Sequence, residues 1–350
     1  VKADMHVHLE EGPYTLHWLT RTMQALQASL PGAEEFRVNA EITNEGGDPP
    51  LERHSLAWMK SEAGRLHERL DKGCFSMEWL DRYLAWARAR GIERLGIVDH
   101  LYRFEEFQSY YAKHMTLDDS ELGRMQHRWL DHVCIGSIHD FLGPVQEAAD
   151  RLGGISVGLE ADYFPGAEDE LRRLLAPYQV DYVIGSVHFL HGWGFDNPDT
   201  QARFEPIDLL QLYTDYYSTV QEAARCGLFE FIGHPDNLKL FGFRPDEGQL
   251  MPLYEETAKV MKEAGVGTEI NTGLAYRYPV AESSPSPALL RILSRYGVPL
   301  ATSSDAHYPD DTGMLLEEAT ELAKKAGYTE LCYYSGRQRV TYPIAGKNSP

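Results

Sequence analysis

Cysteine is sparse and cations are outnumbered. The four cysteines of this 350-residue chain, Cys74, Cys134, Cys226 and Cys332, stand far apart without CxxC spacing. That argues against a zinc ribbon or a disulfide framework and fits a reducing cytoplasm. Lys and Arg total 33 against 53 Asp and Glu, a formal charge of -20. Nucleic acid and anionic membrane are met by clustered cations, which are missing here, so neither partner is expected. Any phosphorylated substrate would have to be met locally, by metal ions or a few placed cations. No apolar run reaches the roughly 18 residues of a membrane span, and the N-terminus lacks the basic-then-apolar pattern of a signal peptide. A cytoplasmic location follows as the expectation. GxSxG and P-loop motifs are missing too, which leaves no sign of an activated serine or a nucleotide-phosphate cradle.

What is present is a rhythm of helix, glycine and apolar strand. Arg90-Gly91-Ile92, Cys226-Gly227-Leu228, Ala264-Gly265-Val266, Tyr296-Gly297-Val298 and Ala326-Gly327-Tyr328 share one junction chemistry. In each, glycine supplies the left-handed residue that ends a helix. Stripes such as Leu80, Tyr83, Leu84 and Ala87, or Tyr213, Tyr217, Val220 and Ala224, give the preceding helices a core-facing side. Strands are expected at Ala3 to His8, Arg94 to Asp99, Ile155 to Glu160, Tyr182 to Val187, Phe229 to Gly233, Val266 to Asn271 and Leu300 to Ser304. Seven strands alternating with helices predict a mainly parallel α/β sheet, closed into a barrel, as one domain over residues 1–345. A helical insertion after the first strand, about residues 31–75, contains the irregular piece Phe36 to Pro50. The polar end, residues 346–350, is expected to be loose.

The chemistry collects where those strands stop. His6 and His8 alternate on one strand face, so both imidazoles can address one object. The following strands end in Asp99-His100, Glu160-Ala161-Asp162, His188, His234-Pro235-Asp236, Asn271 and Asp305-Ala306-His307. An apolar strand must stop at something polar, which would explain one such end. Six of seven carrying His, Asp or Glu is a different matter, because the C-terminal rim is where barrel enzymes place their chemistry. Imidazole and carboxylate together are ligands for Zn, Fe or Mn, and there are more of them than one ion can use. A cluster of two or three divalent ions with bridging carboxylate is expected.

These residues resemble the PHP (polymerase and histidinol phosphatase) superfamily of metal-dependent phosphoesterases. The likeness rests on Asp4-Met5-His6-Val7-His8, Val98-Asp99-His100, Gly158-Leu159-Glu160, Gly185-Ser186-Val187-His188, Gly233-His234-Pro235 and Ser304-Asp305-Ala306-His307. Ser186-Val187-His188-Phe189-Leu190 with Gly192-Trp193-Gly194-Phe195-Asp196, and Glu269-Ile270-Asn271-Thr272 leading to Arg277, resemble its histidinol-phosphatase branch. The resemblance implies a distorted (β/α)7 barrel and a trinuclear site. One ion would sit on His6, His8, Glu160 and Asp305, a second on Glu160, His188 and His234, and a third on His100 and His307. The family gives the third ion another histidine soon after the HxH pair. Here His17 comes late, and Glu10 or Glu11 could replace it.

The implied activity is hydrolysis of L-histidinol phosphate to L-histidinol and phosphate by a metal-bound hydroxide. Arg277 would clamp phosphate and Asp99 would orient a neighbouring histidine. Another small phosphate ester is the near alternative. A non-catalytic metal-binding module of the same fold is the more distant one. His191 reads as a solvent-exposed loop residue, and His54, His67, His114, His127, His132 and His139 as structural or surface residues.

Overall fold

The computed structural model describes residues 1–9, 12–28, 30–31 and 52–344. Its strands are β1 (Ala3–His8), β2 (Arg94–Val98), β3 (Ile155–Asp162), β4 (Tyr182–Ser186), β5 (Phe189–Leu190), β6 (Trp193–Gly194), β7 (Phe231–Ile232), β8 (Gly267–Asn271), β9 (Leu300–Ser303), β10 (Glu330–Ser335) and β11 (Gln338–Pro343). Seven of them form one parallel sheet in the order β1-β2-β3-β4-β7-β8-β9. These are the seven expected strands, with ends that differ by at most two residues.

The sheet curls until its edges meet. His8 N donates to Ala306 O at 2.8 Å, and Thr302 Oγ1 donates to Ala3 O at 2.7 Å. Asp4 adds a tie, accepting from the backbone N of Ser304 and of Gly313, each at 2.8 Å. Closure is therefore partly backbone and partly side chain, which makes the barrel a distorted one.

Tyr182, buried completely, fills the barrel and donates its hydroxyl to Met5 O at 2.8 Å. Gly158 makes room for it, since a Cβ there would lie 2.6 Å from the Tyr182 ring. On the outer face, the Met77–Ala89 helix buries Leu80, Tyr83, Leu84 and Ala87 as its stripe predicts. Each of the five junction glycines has positive φ, from 67° at Gly91 to 106° at Gly327.

Two features go beyond the sequence reading. Helices Gln108–His114, Glu121–Val133 and Ile138–Leu152 stand between β2 and β3, a second helical excursion. The antiparallel pair β10–β11 plugs the N-terminal mouth of the barrel, where Tyr334 stacks on Phe231 at 5.2 Å between centroids. In the first excursion, Leu56–Lys72 is helical behind a Ser55 cap. Phe36 to Pro50, residues 346–350, Glu10 and Glu11 lie outside the described residues.

Candidate metal centre

Glu160, near the end of β3, stands at the middle of the rim. Its Oε2 lies 3.1 Å from His6 Nε2, 3.2 Å from His8 Nε2 and 2.9 Å from His100 Nδ1. Its Oε1 lies 3.1 Å from His234 Nε2 and 3.6 Å from His188 Nε2, and accepts from Ser186 Oγ at 2.6 Å. One carboxylate thus divides its oxygens between two groups of imidazoles. Asp305 Oδ1 joins the first group, 3.9 Å from His6 Nε2 and 3.6 Å from His8 Nε2. In the second, His188 Nε2 and His234 Nε2 are 3.3 Å apart. His8, His100 and His307 form a third convergence, with ligand atoms within 4.8 Å of one another.

The backbone is bent to this purpose. His234 has φ of 24° and Asp305 φ of 53°, a region costly for residues with a Cβ. Both are pinned. His234 N donates to Glu269 Oε1 at 2.9 Å, and Asp305 accepts from Asn271 Nδ2 at 3.1 Å.

Behind the ring of donors sits a second set of carboxylates. Glu269 lies with both oxygens 3.1 Å from His6 Nδ1, and Asp162 Oδ1 is 2.8 Å from His188 Nδ1. When those nitrogens donate their protons outward, the Nε2 lone pairs of both rings face the centre. Burial alone would raise the Glu160 carboxyl, but His100 and His6 hold it well below the usual range. Burial likewise works against Asp305, yet Arg277, His6 and His8 hold it down at about 2. Burial pushes the His100 imidazole down to about 4, so it is neutral at pH 7.

The donor set therefore suits divalent ions. Buried carboxylate and imidazole converge. Burial opposes protonation of His6 and His188, yet Glu269 and Glu160 push His6 well above its ordinary value and Asp162 pushes His188 up to about 10, positive charge on the rings that a bound ion would replace.

The structure sorts the expected residues. His6, His8, His100, Glu160, His188, His234, Asp305 and His307 come together. His17 does not: it is exposed in the first turn of helix Leu16–Gln27, edge-on to Tyr308 at 6.2 Å. Asp99 is also displaced from its expected role. It is fully buried with Oδ1 3.8 Å from His8 Nδ1 and 3.2 Å from Arg103 Nε, so it backs His8 rather than the His100 ring and touches no substrate space.

Arg277 reaches the rim, donating to Asp305 Oδ2 at 2.5 Å and lying 2.9 Å from His307 Nδ1. Asp236, two residues after His234, caps its loop. It accepts from Ser286 N at 2.7 Å and Lys239 Nζ at 2.8 Å. His191 is exposed and bonded to Asp215 at 3.0 Å. His132 lines the cavity over the centre with Met125, Arg128 and Trp129, four positions at helical spacing on Glu121–Val133. It thus belongs to a wall and not merely to the surface.

Glu269 escaped the sequence reading because it lies inside β8, two residues before the strand end. The signal was there: a carboxylate inside a strand of a closed sheet needs a partner when buried. The cavity has a volume of about 940 Å³ and runs from Glu160, His188 and His234 out to Arg21, Arg128 and Asp199.

Comparisons with known proteins agree with this geometry. The PHP domain profile matches residues 74–273. A probable histidinol-phosphatase of Deinococcus radiodurans is 38% identical over 208 residues, 57% of this chain and 78% of the relative. One of Schizosaccharomyces pombe is 28% identical over 200 residues, 53% of this chain and 64% of the relative. Among solved structures, histidinol phosphate phosphatase of Lactococcus lactis, complexed with Zn, L-histidinol and phosphate, superposes with a TM-score of 0.56 at 18% identity. The match covers 74% of this chain and 92% of that one. A putative histidinol phosphatase of Listeria monocytogenes gives 0.52 at 18%, covering 68% and 93%. The last two similarities speak for the fold, and the profile and the Deinococcus relative settle the family: this chain is a member of the PHP domain family.

Proposed function

We propose that this protein is a metal-dependent phosphomonoesterase that hydrolyses L-histidinol phosphate to L-histidinol and phosphate. The observation that carries the reading is the divided carboxylate of Glu160, whose two oxygens face two separate groups of imidazoles. A structural site needs one closed ligand set, whereas a shared carboxylate at the floor of an open cavity builds adjacent ions with room for a substrate. The relatives' names supply the substrate.

Two or three divalent ions, Zn, Fe or Mn, would be held by His6, His8, Glu160 and Asp305, by Glu160, His188 and His234, and by His8, His100 and His307. Bound there, they supply Lewis acidity toward phosphoryl oxygens and an acidified water at neutral pH. The chain's own residues do the rest. Glu269 and Asp162 fix the tautomers of His6 and His188. Asp99 backs His8. Arg277 holds Asp305 and presents its guanidinium to the cavity, where a phosphoryl oxygen can accept from it. Barrel walls and the Glu121–Val133 helix enclose the ester, so that the charge of the dianion is met by fixed groups and not by solvent.

Phosphate release from histidinol phosphate, beside nucleotides and aryl phosphates, on metal-reconstituted protein tests the reading. Preferential release from histidinol phosphate supports it. Release from the other esters with histidinol phosphate left intact would move the assignment to another small phosphate ester.

A further inference from the structure

Asp196 follows the β5–β6 hairpin on a support that is fixed at each step. Gly194 N donates to Gln126 Oε1 at 2.7 Å, and Phe195, fully buried, donates its N to His188 O at 3.1 Å. Asn197 Oδ1 then accepts from Asp199 N at 2.9 Å. A carboxylate carried this way is positioned by packing and backbone bonds. It faces the cavity in company with His188, His234 and Tyr278.

Its neighbours are already engaged. Asp162 is bonded to Tyr111 and His188, Asp305 to Arg277 and Asn271, and Asp311 to Arg21. Arg277 and Arg21 are each bonded to one of those acids. Among the described residues, the hydrogen bond that reaches Asp196 comes from its own backbone, and no other residue donates to it. A partly buried carboxylate left in that condition is costly unless a ligand supplies the donor. It would also repel an ester whose alcohol carried a second anionic group.

The cavity also has an aromatic wall, where Tyr102 stacks on His100 at 4.5 Å and meets Trp129 edge-on at 4.8 Å. Such a wall accepts a planar group. The cavity thus has a floor of converging imidazole and carboxylate that would take the phosphate, an aromatic wall, and Asp196 beside His188 and His234, while the exposed Arg128 and Asp199 also line it.

We propose that Asp196 is a specificity residue that receives a protonated amine on the alcohol portion of the substrate. This deepens the phosphomonoesterase reading, on which it rests, by restricting the substrates to phosphate esters of amino alcohols. The ammonium donates to the partly buried carboxylate in a charge-assisted bond, stronger than a neutral one.

The test is equilibrium binding of L-histidinol and of its N-acetyl counterpart to the metal-reconstituted full chain, with inorganic phosphate present. Wild-type protein should bind the amine about 100-fold more tightly than the N-acetyl form. In Asp196→Asn the ratio should collapse to about 3-fold or less, while Asp196→Glu keeps part of it. The ratio of turnover for the two phosphate esters should fall in parallel, whatever the absolute rates. Equal binding of the two ligands by wild type, failure of wild type to bind the amine, or an undiminished ratio in Asp196→Asn would each overturn the proposal. The phosphomonoesterase reading fails by a separate result, no phosphate release from any ester, which leaves an amine preference in binding intact.

Discussion

Glu160 and Glu269 are two buried carboxylates with opposite duties. Glu160 offers oxygens to two ligand groups at once, so Glu160→Gln removes charge from both. Metal content by elemental analysis should fall below that of wild type, and phosphate release should drop by at least about 100-fold. Glu269 touches no ligand position but sets the tautomer of His6. Glu269→Gln should therefore weaken metal affinity by about 10- to 100-fold in a chelator competition and leave the fold intact, the magnitude usual for outer partners. An unchanged affinity would remove Glu269 from that role.

Asp4 gives a pH signature at the same scale. Burial pushes its carboxyl up from 3.8 to about 6, with the hydrogen bonds from Ser304 and Gly313 opposing the shift. The folded chain then binds more protons than the unfolded one between about pH 4 and 6, so this group's contribution to stability falls as pH rises through that window. Relative to Asp4→Asn, wild type should lose on the order of 2 kcal/mol from pH 4 to pH 6.5 in urea unfolding. A flat difference would contradict the assignment.

Among elements, the β10–β11 pair behaves as a plug and not as a trailing loop. Tyr334 is 1% exposed and packs against Phe231 and Tyr182. Tyr334→Ala should cost about 3–5 kcal/mol, read as a lower urea midpoint. Metal content should be unchanged, because the plug closes the mouth opposite the ligands.

The seven sheet strands were legible as short apolar runs, and β2, β7, β8 and β9 were also announced by a helix-ending glycine. The plug was not. In β11 all residues but Tyr342 are exposed, so the apolar face that marks a strand is missing from its sequence. The three helices between β2 and β3 escaped because nothing in their glycine spacing separates a second excursion from a crossover. The eight converging positions could be read from six strand ends alone. Glu269 and Asp196 stood in the stretches that resemble the histidinol-phosphatase branch, but their places behind His6 and beside His188 could not be read, since one lies inside a strand and the other in a loop. His17 shows the converse: sequence proximity to His8 suggested a ligand, and the first turn of a surface helix leaves it exposed.

On the scale of the whole molecule, an excess of 20 negative charges is reconciled with a phosphorylated substrate by concentrating on one rim the imidazoles and carboxylates that would hold divalent cations. The described residues contain no helix long and apolar enough to cross a membrane. The barrel supplies the geometry, and the excursion between β2 and β3 supplies a wall above it.

The most direct measurement is a metal titration of chelator-stripped protein, read by phosphate release from histidinol phosphate. The proposed centre predicts negligible release without metal and activity that rises until two or three equivalents of divalent ion are bound. Release that persists in chelator, or silence at saturating Zn, Mn and Fe, would contradict a metal-dependent phosphatase built on Glu160.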